Sequence, residues 1–328
     1  MIVSLKQNAD ADAVRRKLAE RGLWVSGVGQ GSAGEPLYYA IAPHSAAADA
    51  QEIAKIEGVL AVSAAKSEHP MVDRQGPSVD VSGVKVGGKA PVWMCGPCSI
   101  ESEDHARSMA QALAPLGVTF LRGGAYKPRS SPYAFQGHGE AALGWMRRAA
   151  DAAGMRVVTE VLSEADAPVV AEVADLMQVG SRNMQNYALL KAVGKCQKPV
   201  LLKRGMAATI EEWLLSGEYL LANGAPGVVF CERGIRGFDA STRNLLDVSA
   251  VALLAHVHRL PVIVDPSHAT GRRDLVLPLG RAALAAGAAG LLIEAHEDPA
   301  RALSDGPQAI PMGELGGLLS ALGKGGAQ

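Results

Sequence analysis

From residue 91 onward one pattern recurs: a short apolar run ends in a polar or glycine-rich cluster, and a stretch long enough for a helix comes next. The runs are VWMC (92–95), VTFLR (118–122), RVVTE (156–160), LMQVG (176–180), VLLKR (200–204), VVFCE (228–232), VIVD (262–265) and LLIE (291–294). The intervening segments, such as 139–153 and 210–222, can each hold a crossover helix. Eight such β and α units in roughly 240 residues predict a (β/α)₈ TIM barrel over residues 91–328, with a doubly wound open sheet as the runner-up.

Residues 1–72 read as a separate unit. Strand-like segments at 2–6, 24–28, 37–41 and 59–64 alternate with helical ones at 11–21 and 46–56. Val14, Leu18 and Ala19 form the apolar face of the first helix. The order βαββαβ predicts a small ferredoxin-like α+β domain. Between the two units, residues 73–90 are polar and rich in Gly and Pro, and they read as a linker with a short hairpin turning at Ser82-Gly83.

Bulk properties narrow the function classes. The net charge is −1, so no global attraction to nucleic acid or an anionic membrane is expected. Four cysteines in 328 residues do not make a disulfide framework. Neither a signal peptide nor an apolar stretch of membrane-spanning length is visible, and the cytosol is the expected compartment.

In barrels of this kind the site forms from the loops at the C-terminal ends of the strands. Those positions hold Cys98, Arg122 with Lys127 and Arg129, Glu160, Arg182, Lys203 with Arg204, Glu232 with Arg233, Asp265 with His268, and Glu294. Cations gathered at one mouth of a nearly neutral chain imply an anionic guest, because buried unpaired charge is costly and the Arg fork matches phosphate and carboxylate. Cys98, His268 and Glu294 come after runs one, seven and eight, which become neighbours on closure, and Asp305 lies in the next loop. Thiolate, imidazole and two carboxylates suit one divalent ion of the Mn, Fe, Co or Zn class, held with a position open to substrate.

The segments GPCSIE (96–101), LRGGAYKPRSSPYAFQGHGE (121–140), VLLKRG (200–205), CERGIR (231–236), DPSHATGRRDLV (265–276) and IEAHEDPARALSDGPQ (293–308) resemble 3-deoxy-D-arabino-heptulosonate 7-phosphate (DAHP) synthases. The resemblance is to the short type I beta group with an N-terminal ferredoxin-like regulatory domain. It implies condensation of phosphoenolpyruvate with erythrose 4-phosphate, the first committed step of aromatic amino-acid synthesis. Carried over, it assigns the metal to Cys98, His268, Glu294 and Asp305. Arg182 and Arg233 would hold the phosphate of phosphoenolpyruvate, and Arg122, Lys127 and Lys203 its carboxylate and reacting carbons. Lys127 would also donate a proton. Arg129 and Ser130 would take the erythrose 4-phosphate, with Asp265 close to sugar and metal. The resemblance further implies an aromatic amino acid, tyrosine or phenylalanine, as effector at the front domain, and a homo-oligomer, tetramer or dimer. Ala269 departs from the Ser or Gly that many members carry after the His.

Two other readings compete. An octulosonate-phosphate synthase acting on arabinose 5-phosphate would carry a KANRSS-like segment where this chain has Lys127-Pro128-Arg129-Ser130-Ser131. The Cys95-Gly96-Pro97-Cys98 motif copies a thiol–disulfide redox centre. That centre needs a helix starting at the motif, whereas residues 99–104 read as polar loop and Cys95 as an inward strand residue. The GxGxxG match at 29–34 precedes a strand and reads as a hairpin loop.

Overall fold

The computed structural model describes residues 1–30, 37–42, 44–63, 67–127 and 131–323. The chain divides into two compact units, Met1–Glu68 and His69–Gln328.

In the first unit, strands β1 (Ile2–Leu5), β2 (Val25–Gln30), β3 (Leu37–Ile41) and β4 (Val59–Ser63) form an antiparallel sheet in the order β2-β3-β1-β4. Helices α1 (Ala11–Ala19) and α2 (Ala50–Ala54) supply Val14, Leu18 and Ile53 to a core shared with Val3, Leu5, Tyr39 and Val59. Asp10 caps α1, its carboxylate accepting the Ala13 N–H at 2.9 Å. Helix α2 is shorter than the sequence implies. The Ala46 N–H is tied to the Gly22 carbonyl, and Asp49 caps at Gln51, so the helix starts only at Ala50. The GxGxxG loop lies mostly outside the described residues, and its flanks pair as antiparallel strands up to Gln30↔Leu37.

The second unit begins with helix α3 (Pro70–Gln75) and a hairpin of β5 (Val79–Val81) and β6 (Val84–Val86). Helix α3 falls where the sequence reads as domain end and linker. Eight parallel strands come next: β7 (Val92–Gly96), β8 (Phe120–Arg122), β9 (Arg156–Val161), β10 (Leu176–Val179), β11 (Val200–Lys203), β12 (Val228–Glu232), β13 (Val262–Val264) and β14 (Gly290–His296). They pair in sequence order, and β14 pairs with both β13 and β7, which closes the barrel. The open-sheet alternative is thereby excluded. Around it run α4 (Glu103–Leu113), α5 (Glu140–Ala152), α6 (Ala167–Val173), α7 (Tyr187–Lys195), α8 (Ile210–Ala222), α9 (Val248–Ala252), α10 (Pro266–Thr270) and α11 (Val276–Ala285). A short β15 (Ile310–Pro311) on β14 and the final α12 (Met312–Gly323) complete the unit. No helix among the described residues is long and apolar enough to cross a membrane.

Two apolar layers organise the barrel. The outer one lies between strands and helices and contains Cys95, Met109, Leu121, Met146 and Trp213. Cys95 therefore faces the helices, a correction to the inward placement, because alternation turns its neighbour Met94 to the axis. The inner layer holds Met94, Phe120, Val158, Leu176, Leu201, Cys231, Ile263 and Leu292, together with Val79, Val81 and Val86 of the hairpin. The hairpin thus plugs the N-terminal floor. Its turn has positive φ at Ser82 and Gly83, the twist that two-residue hairpins favour. Arg156 donates to the Ser82 carbonyl at 2.8 Å, and the Ser82 hydroxyl donates to Asp175 at 2.7 Å.

Candidate active site

Side chains alternate along a strand, so the residue two places beyond an inward apolar one also faces the axis. Phe120 leads to Arg122, Val158 to Glu160, Leu176 to Gln178, Leu201 to Lys203, Cys231 to Arg233, Ile263 to Asp265 and Leu292 to Glu294. A polar tier therefore stands directly on the apolar one at the C-terminal mouth. Arg122, Lys203, Arg233, Asp265 and Glu294 are all buried there.

Cys98, His268, Glu294 and Asp305 converge, with one ligand atom from each lying within 4.8 Å of the others. Different elements deliver them. Cys98 lies two residues past β7, where Gly96 has φ 150° and a Cβ would meet the Arg122 carbonyl oxygen at 2.1 Å. Glu294 is within β14, and its N–H donates to the Ser267 hydroxyl at 3.1 Å. His268 is set by Asp265, which caps α10. One carboxylate oxygen accepts the His268 N–H at 2.9 Å, and the other lies 2.8 Å from ring Nδ1. Burial lowers the His268 pKa against the pull of Asp265 and Glu294. With its proton on Nδ1 toward Asp265, Nε2 presents a lone pair 3.2 Å from Glu294 Oε1 and 3.9 Å from Asp305 Oδ2. Two acceptors that close repel each other unless a cation lies between them. Burial, and then Glu294, push the Cys98 thiol up to about 12, which a divalent cation would reverse by replacing the proton. The donor set thus fits one borderline divalent ion.

Beside this cluster a cavity of about 100 Å³ is lined by Lys127, Arg182, Lys203, Arg233, Arg243 and His268, with Glu160 and Asp305 among the remaining walls. Lys203 Nζ lies 2.6 Å from Asp265 Oδ2. Burial opposes charge on Asp265, yet His268 and Lys203 hold its carboxyl well below the usual carboxylate range. Arg233 Nη1 is buried and finds no hydrogen-bond partner among the described residues. An unpaired buried guanidinium N–H aimed at a cavity is an anion site in waiting. Lys127 donates from Nζ to Cys98 Sγ at 2.8 Å and to the Cys98 carbonyl at 2.9 Å. Arg122 is set back from this cavity and donates to Glu294 at 2.9 Å and the Pro97 carbonyl at 2.8 Å.

Residues 60–325 match the DAHP synthetase I family. The chain belongs to that family. A Thermotoga maritima phospho-2-dehydro-3-deoxyheptonate aldolase is 53% identical over 232 residues, 71% of this chain and 69% of that one. The crystal structure of the T. maritima phospho-2-dehydro-3-deoxyheptonate aldolase (DAHP synthase) superposes with TM-score 0.77 at 43% identity, covering 98% of this chain and 96% of that one. A truncated form of the T. maritima 3-deoxy-D-arabino-heptulosonate 7-phosphate synthase gives TM-score 0.70 at 48% identity, over 75% and 90%. A 2-dehydro-3-deoxyphosphooctonate aldolase of Acidithiobacillus ferrooxidans is more distant, 34% identical over 261 residues, 73% of this chain and 91% of that one. This chain is accordingly an enzyme, a transferase-type aldolase of the DAHP synthetase I family.

Arg129 and Ser130 lie outside the described residues. Arg204 is turned away from the cavity into a buried pair with Glu232 at 3.1 Å and Asp247 at 2.8 Å. Arg243 and Gln308 are not marked by the sequence pattern. Both sit in long loops with no strand end to flag them, yet Arg243 reaches Asp305 at 3.7 Å and Gln308 donates to Glu294 Oε2. A second group, Glu101, His105 and His296, also converges within 4.8 Å. Here the backbone N–H groups of Glu101 and Asp298 donate to the Nδ1 atoms of His105 and His296, at 3.4 and 3.0 Å. With Nδ1 accepting, the ring protons fall on Nε2, and both Nε2 atoms are buried without a hydrogen-bond partner among the described residues.

Proposed function

We propose that the protein condenses phosphoenolpyruvate with erythrose 4-phosphate and water to give 3-deoxy-D-arabino-heptulosonate 7-phosphate and phosphate, with a divalent ion at Cys98, His268, Glu294 and Asp305. The observation that carries this reading is the juxtaposition of an ion-ready ligand set with a buried cationic cavity. Arg182 and Arg233 would receive the phosphate of phosphoenolpyruvate, and Lys127 and Lys203, with Arg122 beside them on Glu294, its carboxylate and reacting carbons. Arg129 and Ser130 would take the sugar phosphate. When bound, the ion supplies Lewis-acid polarisation of the aldehyde. The residues do the rest. C3 of phosphoenolpyruvate attacks the aldehyde carbon, and Lys127 would give a proton to the emerging alkoxide. Water adds at C2, and the tetrahedral intermediate expels phosphate, with Arg182 and Arg233 retaining its charge. Asp265 keeps His268 in one tautomer and one orientation throughout.

The front unit, with strand order β2-β3-β1-β4 and both helices contributing to one core, supports a ferredoxin-like domain and hence the short type I beta subgroup. Its effector would be tyrosine or phenylalanine, and the assembly a homo-oligomer.

A phosphate-release assay with erythrose 4-phosphate, and in parallel with arabinose 5-phosphate, tests the reading. Turnover is expected with the four-carbon sugar, is expected to vanish after chelation, and is expected to return with Mn²⁺ or Co²⁺. Preference for the five-carbon sugar would reassign the substrate, and chelator-resistant turnover would remove the metal.

A further inference from the structure

Two of the four ligands lie in regular structure, and a third follows a strand closely. Glu294 is in β14, His268 is in the first turn of α10, and Cys98 lies two residues past β7. Asp305 is different. It sits in the loop between β14 and β15, and its backbone is left-handed, φ 50° and ψ 29°, a conformation that residues with a Cβ seldom adopt. Asp tolerates it better than most residues with a Cβ, and the surrounding contacts decide where the side chain then points.

Those contacts come from the loop that carries Cys98. Ser99 Oγ and Ser304 Oγ lie 2.7 Å apart in a buried hydrogen bond, one residue from Cys98 and one residue from Asp305. One step further out, the Leu303 N–H donates to Glu101 Oε1 at 2.8 Å. The two loops are therefore laced side by side, and Cys98 Sγ comes to lie 3.1 Å from Asp305 Oδ2. The hydroxyl pair touches neither the cationic cavity nor any of the four ligand atoms. Its location bears directly on the distance between Cys98 and the loop carboxylate.

We propose that Ser99 and Ser304 form a positioning clasp that sets the affinity of the metal centre by holding Asp305 against Cys98. This rests on the metal reading above. Full-length Ser99→Ala, Ser304→Ala and the double variant should be titrated with Co²⁺ against a chelating dye, with the sulfur-to-cobalt absorption recorded and the melting temperature of the metal-free protein measured. Each single variant is expected to lose about 10–100-fold in affinity, the range for residues that orient metal ligands. A single substitution also strands a buried hydroxyl, which lowers stability; the double variant removes both hydroxyls and should recover much of that loss. A clasp predicts that the double variant regains stability while its cobalt affinity stays low. Wild-type affinity in the double variant would overturn the clasp. Absence of any sulfur-to-cobalt absorption in the wild-type protein would overturn the metal reading itself, and the clasp with it.

Discussion

Lys127 addresses Cys98 twice, at its sulfur and at its carbonyl, while also lining the cationic cavity. It stands where ligand set and anion pocket meet, so one ammonium touches the Cys98 sulfur and lines the cavity at once. Lys127→Met keeps the length and removes the charge. Steady-state kinetics should show kcat reduced by about 10²–10³ or more, with an unchanged circular dichroism spectrum, in line with the loss of a pre-placed donor; wild-type-like turnover would remove Lys127 from the mechanism. What the sequence discloses at this scale obeys a rule of position. Residues at or near the C-terminal ends of strands, such as Glu294, Lys203 and Asp265, can be found by counting runs. Arg243, Gln308, Ser99 and Ser304 act through loop paths, and no periodicity records where a loop returns.

Among the elements, the eight barrel strands are legible because each is a dense apolar run bounded by turn residues. Helix α3 is not, because its cap comes from elsewhere: Glu218 of α8 accepts the N–H groups of Met71 and Val72, about 146 residues away. A tertiary cap leaves no local mark. The floor hairpin shows the same dependence. Its turn is readable, but its seat is made by Asp175, which receives the Ser82 hydroxyl, the Val157 N–H at 2.8 Å and Arg147 at 2.8 Å. Burial alone would raise the Asp175 pKa, but these donors, Arg147 foremost, hold it below the usual value. Its contribution is therefore complete above the unfolded-state carboxyl value near 3.9 and fades as pH falls through the lower folded value. Asp175→Asn should cost about 2–3 kcal/mol in urea unfolding at neutral pH. The gap to wild type should narrow below about pH 4, and a constant gap would show that charge is not what Asp175 contributes.

For the whole molecule, the break after Glu68 separates two cores that each close on their own residues. A chain beginning at His69 is expected to fold, to keep phosphate release within a few-fold of the full protein, and to lose inhibition by tyrosine or phenylalanine. Undiminished inhibition in that chain would place the effector in the barrel. The overall plan, a barrel and a small domain ahead of it in the chain, can be read from repeat counting and element order. The affiliation of the segment 69–90 cannot, because it depends on which surface Val72, Val79, Val81 and Val86 find to cover them.

The valine plug has a last implication. The hairpin valines lie beneath a barrel already filled by its inner layer of side chains, so the site opens only at the C-terminal mouth. If the two proposed substrates both enter there, the one that lodges deeper has to enter first.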